Sequence, residues 1–198
     1  MHPVTRAIRS QVDRTNEMEH AQPLFLTSSF CFDNAEEMRA AFADENDDNI
    51  YSRFSNPNVQ EFVDRMCALE GTEAGFATAS GMSAIFASFM TFLKQGDHLL
   101  SCRSIFGSTH TVITKYLPKY GISHSYVDAA ADSRAWEAAI RPETKMIYLE
   151  TPTNPALEVI DLAAVSALAK KHNLLLNVDN CFATPIAQQP VQYGADLI

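Results

Sequence analysis

From residue 74 onward the chain alternates short apolar runs with stretches of helical period, and this alternation restricts the fold more than any single motif does. Strand-like runs fall at 74–79, 98–102, 122–127, 146–150 and 174–179. Between them lie helical patterns at 82–93, 108–116, 133–140 and 162–171, with Gly, Pro, Asn or Asp at the junctions. Strands separated by helices pair most simply in parallel, with the helices crossing over the sheet faces. The expected fold is therefore α/β, with a mostly parallel, doubly wound sheet.

The flanks read differently. Residues 1 to about 50 look irregular, with Pro3, Pro23 and the acidic run from Asp44 to Asp48; this is the composition of a solvated arm. From Pro57 a helix is expected, since Val59, Phe62, Val63, Met66 and Leu69 recur at helical spacing and Gly71 stands where a C-cap belongs. At the other end Gly194-Ala195-Asp196-Leu197-Ile198 reads as a turn and the start of another apolar strand. The 198 residues are expected to be the N-terminal part of something longer.

Charge and cysteine usage narrow the function. Fifteen Lys plus Arg against 24 Asp plus Glu leave a formal charge of −9, and without a basic run there is no electrostatic footprint for nucleic acid or an anionic membrane. Cys31, Cys67, Cys102 and Cys181 form no CxxC pair and have no His at metal-ligand spacing, so no metal site is expected and a reduced, cytoplasmic chain is the simpler reading. No apolar leader core stands at the N-terminus, and no run of about 18 apolar residues occurs. Motifs of other chemistries (GxSxG, HExxH, GxGxxG and GxxxxGK[ST]) do not occur either.

In a parallel α/β sheet, ligands bind beyond the carboxyl ends of the strands, where helix N-termini face anions. Three loops occupy such positions. Thr78-Ala79-Ser80-Gly81-Met82-Ser83 leads into a helix, and Gly81 lets backbone amides approach a phosphate; a tight turn without a ligand explains it too. Asp179 closes an apolar strand, where it can pair with a cation or a protonated ring nitrogen, or simply cap a loop. Glu150-Thr151-Pro152-Thr153-Asn154-Pro155 closes another, with Asn154 offering amide hydrogen bonds and the prolines serving equally as turn punctuation. Earlier in the chain, Tyr51 and Arg53 stand two apart; in an extended segment both face one way, and Arg53 is suited to gripping a phosphate. An ordinary surface arginine is the plainer alternative.

Taken together and in order, these motifs resemble the Cys/Met metabolism family of pyridoxal 5′-phosphate (PLP) enzymes, which have the aspartate aminotransferase-like fold, fold type I. The landmarks are Tyr51-Ser52-Arg53 with Asn56-Pro57, Ala79-Ser80-Gly81-Met82, the loop from Glu150 to Pro155, Val178-Asp179-Asn180 with Thr184-Pro185, and Gly194-Ala195-Asp196. The resemblance covers nearly the whole chain. It implies that residues 1–55 are an arm contributing to a neighbouring subunit's site, and that residues 56–198 are an incomplete PLP-binding large domain.

The resemblance also implies residue roles. Gly81 and Met82 would bind the PLP phosphate through backbone amides, and Tyr51 and Arg53 would reach the phosphate of a neighbouring subunit's cofactor. Asp179 would pair with the pyridine nitrogen, Asn154 would lie near the ring's 3′ oxygen, and Phe106 would stack on the ring. Many family members carry Tyr at this last position, where Phe106 can neither donate nor accept a proton. With Asn180-Cys181-Phe182 and Gln188-Gln189-Pro190, that residue resembles the branch that performs γ-replacement, in which sulfide displaces succinate from O-succinylhomoserine to give homocysteine. Alternatives within the family are O-acetylhomoserine sulfhydrylase, cystathionine γ-synthase and methionine γ-lyase chemistry. The expected partners are an O-acylhomoserine, sulfide and further copies of the chain in a dimer or tetramer. The family's Schiff-base lysine is expected just after Ile198, and none of the six lysines present stands in its motif. A non-catalytic fragment is the alternative of another class, and the 198 residues alone are expected to be inactive.

Overall fold

The computed structural model describes residues 2–9 and 14–198. These fall into two compact units, one formed by the described residues up to Leu69 with Glu73–Ala77, the other by Glu70–Thr72 and Thr78–Ile198.

The first unit contains helices α1 (Pro3–Arg9), α2 (Ala35–Phe42) and most of α3 (Pro57–Glu70). Two of these lie where an irregular arm was expected. The reason for α2 is local: the Asn34 side chain accepts from the Glu37 amide at 3.0 Å, while Glu37 accepts from the Asn34 side chain at 2.8 Å and the Asp33 amide at 3.2 Å. This is a reciprocal cap, and it starts the helix. α3 ends as expected, with Gly71 at φ +80° just beyond it.

In the second unit, α4 (Gly81–Phe92) precedes β1 (His98–Cys102), and α5 (Gly107–Thr111) continues through a π turn at Val112–Tyr116 and a 3₁₀ turn at Leu117–Tyr120. The apolar rhythm predicted one helix over 108–116; Gly121, at φ +72°, closes the longer composite. Then come β2 (Ser123–Val127), α6 (Ser133–Ala138), β3 (Thr144–Glu150), α7 (Leu162–Lys171), β4 (Leu175–Asp179) and α8 (Thr184–Ala187).

All ladders in the sheet are parallel, in the order β2-β1-β3-β4. His98 pairs with Ser123 and with Thr144, and Met146 with Leu175. Leu99, Leu100, Ile147, Leu149, Leu176 and Val178 are fully buried, as continuous apolar strands covered on both faces require. Beyond β4, Leu197 bridges Asn177 in parallel, where the start of another apolar strand was expected.

The run at 74–79 was expected to be a strand, and among the described residues it joins no ladder. Phe76 is 89% exposed, so alternation and apolar content alone did not supply a neighbour. No described helix is long and apolar enough to cross a membrane.

Candidate functional site

The strand order creates the site. The chain passes from β1 to β2 on one side, then returns past β1 to place β3 on the other. The connections after β1 and β3 therefore lead to opposite sides, and the carboxyl edge between them is the usual ligand position in such a sheet.

α4 runs back across the face, and its N-terminus lies toward that edge. Ser80 caps it, accepting from the Ser83 amide at 3.2 Å, with the two hydroxyls 2.9 Å apart. Further along, Ser88 receives a hydrogen bond from the Asn177 side chain at 2.8 Å, and the buried Phe89 meets Tyr148 edge-on with ring centroids 5.1 Å apart. These contacts tie α4 to β3 and β4. A Cβ placed on Gly81 would meet nothing within 4 Å. The start of α4 thus has room beside Gly81, and an anion at a helix N-terminus meets backbone N–H donors and the favourable end of the helix dipole.

Asp179 ends β4, directly opposite Glu150 in the β3 ladder. Its Oδ1 accepts from the Cys181 amide at 2.9 Å, and Tyr148 Oη lies 3.4 Å from Oδ2. Tyr148 is buried, and its hydroxyl is held well above the ordinary tyrosine range, first by burial and then by the carboxylates of Asp179 and Glu150. A phenol kept protonated in this way is a donor toward Asp179 and leaves that carboxylate free to act as an acceptor for a cationic group. Thr109 connects the ensemble back to α4, its hydroxyl 3.8 Å from the Met82 sulfur.

Phe106 begins α5 and is 41% exposed; Asn154 lies in the loop after β3 and is half-buried. Gly81, Met82, Phe106, Asn154 and Asp179 therefore all belong to the second unit. Tyr51 and Arg53 belong to the first. They sit in a turn closed by the Phe54 amide on the Tyr51 carbonyl at 2.8 Å, not in an extended segment. Even so, the Arg53 guanidinium lies 5.4 Å from the Tyr51 ring centroid and 5.2 Å from that of Phe54. The turn thus brings together the two side chains that an extended strand was expected to align.

Two sets of contacts were not singled out from the sequence. Glu150, 3% exposed, accepts from the Phe106 amide at 2.8 Å and the Asn154 amide at 3.2 Å. Burial pushes its carboxyl above the usual range, the two amides oppose the shift, and Asp179 adds to it. Behind Asp179, the Asn180 side chain donates to Glu70 at 3.0 Å and to the Gln188 carbonyl at 2.9 Å, and Gln188 donates to the Thr151 carbonyl at 2.8 Å. The available signal was a polar residue closing an otherwise apolar strand. Among the described residues no group of three His, Cys, Asp or Glu side chains is placed to hold a metal ion.

The residues present fit PLP: a helix N-terminus for a phosphate, a carboxylate for a protonated ring nitrogen and an exposed aromatic ring. The fold is that of PLP-dependent enzymes of fold type I, as its likeness to solved structures shows. The chain belongs to the Cys/Met metabolism PLP-dependent enzyme family, whose model matches residues 4–198. It is 47% identical over 194 residues to an O-succinylhomoserine sulfhydrylase of Pseudomonas aeruginosa, covering 98% of this chain and 48% of that protein. It is 41% identical over 177 residues to an L-methionine gamma-lyase of Pseudomonas deceptionensis, covering 89% and 44%. Among solved structures it resembles one from Campylobacter jejuni, described as an O-acetylhomoserine (thiol)-lyase and carrying N′-pyridoxyl-lysine-5′-monophosphate. That likeness has a TM-score of 0.92 at 30% identity and covers 99% of this chain and 48% of that one. A cystathionine gamma-lyase of Lactobacillus plantarum complexed with L-serine gives a TM-score of 0.88 at 36% identity, covering 99% and 49%. The chain spans about half the length of the curated relatives it matches.

Proposed function

We propose that this chain forms the cofactor-binding half of a sulfhydrylase that replaces the succinyl group of O-succinylhomoserine with sulfide, giving homocysteine and succinate. The observation that carries this reading is the 47% identity to an O-succinylhomoserine sulfhydrylase over 98% of the chain. Phe106 adds to it, because an aromatic ring without a hydroxyl stands where the family resemblance places the ring-stacking residue.

Bound PLP supplies an electron sink for negative charge that develops on the substrate's carbons. The chain's own residues then have distinct tasks. The Gly81 and Met82 amides hold the phosphate, with Tyr51 and Arg53 reaching the phosphate bound by a neighbouring subunit. Asp179 keeps a proton on the ring nitrogen, Phe106 covers one face of the ring, and Asn154 lies by the 3′ oxygen. Phe106 moves no proton, so proton transfer at the substrate is assigned to the lysine that the family resemblance puts just after Ile198. Residues 1–55 serve as the arm of a dimer or tetramer in the cytoplasm, and the 198 residues alone are inactive.

The test is steady-state turnover by the full-length protein. Homocysteine formed from O-succinylhomoserine and sulfide, faster than from the O-acetyl ester, supports the assignment. Preference for the O-acetyl ester, preference for cysteine over sulfide, or release of an α-keto acid from methionine as the main activity would replace it with the corresponding family reaction.

A further inference from the structure

Glu150 has no assigned contact with cofactor or substrate, yet it joins the connections after β1 and β3. It is the last residue of β3, and each carboxylate oxygen takes one backbone amide: Oε1 that of Phe106 after β1, and Oε2 that of Asn154 after β3. Both donors are main-chain groups, so neither contact depends on which side chain occupies position 106 or 154. Phe106 is the residue at which α5 starts, and its amide is held by Glu150. A carboxylate this deeply buried is costly unless hydrogen-bonded, and here the bonds come from two loops that the strand order sends in opposite directions.

We propose that Glu150 is a positioning residue, a single carboxylate that ties the loop after β1 to the loop after β3 and so fixes the Phe106 ring and the Asn154 amide for their work on the cofactor. This rests on the proposed roles of Phe106 and Asn154. Glu150→Gln keeps the size and one acceptor oxygen, but turns an NH₂ group toward the second amide and releases one loop. Glu150→Asp keeps both acceptors on a tether one methylene shorter.

The experiment uses the full-length protein. PLP is titrated while visible absorbance and the circular dichroism induced in the cofactor band are recorded, and the cofactor-free protein is melted in parallel. Freeing one of the two loops leaves the Phe106 ring or the Asn154 amide less firmly placed for the cofactor, so Glu150→Gln should weaken PLP binding about 10-fold or more. The induced dichroism per bound cofactor should fall, because the ring is less firmly oriented, with Glu150→Asp between wild type and Glu150→Gln. The Tm of the cofactor-free variants should stay within about 4 °C of wild type. Wild-type affinity and dichroism in Glu150→Gln would overturn the proposal. So would a loss of binding in both variants that merely tracks a lowered cofactor-free Tm, since Glu150 would then serve the fold alone. A wild-type protein that takes up no PLP overturns the cofactor reading itself, and that is seen in the unsubstituted arm.

Discussion

At the scale of single residues, the proposed site divides into groups assigned to the cofactor and groups that aim them. Phe106 offers a ring face and no proton, so Phe106→Tyr should keep PLP affinity within about twofold, under 0.5 kcal/mol, as an absorbance titration would show. A marked loss would remove Phe106 from its stacking role. Asp179 was legible because a carboxylate closing a run of Leu, Asn and Val stands out against its surroundings. Glu150 closes β3 in the same way, and its part was not legible: both its partners are backbone amides, which no residue pattern records. Tyr148 likewise reads as one more apolar residue of a buried strand, although its hydroxyl lies 3.4 Å from Asp179. Sequence supplied the candidates at the strand ends; the groups behind them emerge only when ladder register sets β3 beside β4, with Glu150 opposite Asp179.

At the scale of elements, caps separate stability from binding. Asp161 starts α7 by accepting from the Ala164 amide at 3.0 Å, and Ser80 starts α4 by accepting from Ser83. Asp161→Ala should cost about 1 kcal/mol and leave cofactor affinity unchanged. Ser80→Ala should cost a similar amount and also weaken PLP binding, because fraying the first turn of α4 disorders the amides of Gly81 and Met82. Urea melts and PLP titrations of the two variants check both expectations. The helix α7 was legible to the residue, since its cap and its apolar period agree. By contrast α2 was missed beside the prolines and the acidic run at Asp44–Asp48, although Asn34 followed three positions later by Glu37 was an available signal. The run at 74–79 shows the opposite failure: its pattern is that of a strand, and pattern does not specify a partner.

At the scale of the whole molecule, stability depends on pH through a histidine that no catalytic role uses. His98 is fully buried between the Thr144 hydroxyl at 2.8 Å and the Ser125 hydroxyl at 3.0 Å. Burial first, then Arg141 and His124, lower its pKa to about 4. Between about 6.5 and that value the unfolded chain binds a proton that the native chain refuses, so stability falls as pH drops through this window. Urea midpoints should decrease from pH 7 to pH 5, and His98→Gln should flatten the decrease. The raised carboxyls of Glu70 and Glu150 act with opposite sign just above the ordinary carboxyl range, since there the native chain holds the extra protons. Sharing of sites between subunits has its own check. Arg53→Ala and Asp179→Asn chains, each inactive alone, should recover about a quarter of wild-type activity when co-expressed, because a mixed pair contains one intact site; no recovery would place both residues in one subunit's site. The sheet sets a further property, the order of events in folding. None of its ladders is a hairpin: His98 must find Ser123 and Thr144, and Met146 must find Leu175, so every strand pair closes a long loop and forms slowly compared with a helix. Phe106, Asn154 and Asp179 follow three different strands of that assembly. Cofactor capture therefore has to come late, and on refolding the yellow colour should return after the helical signal has already recovered.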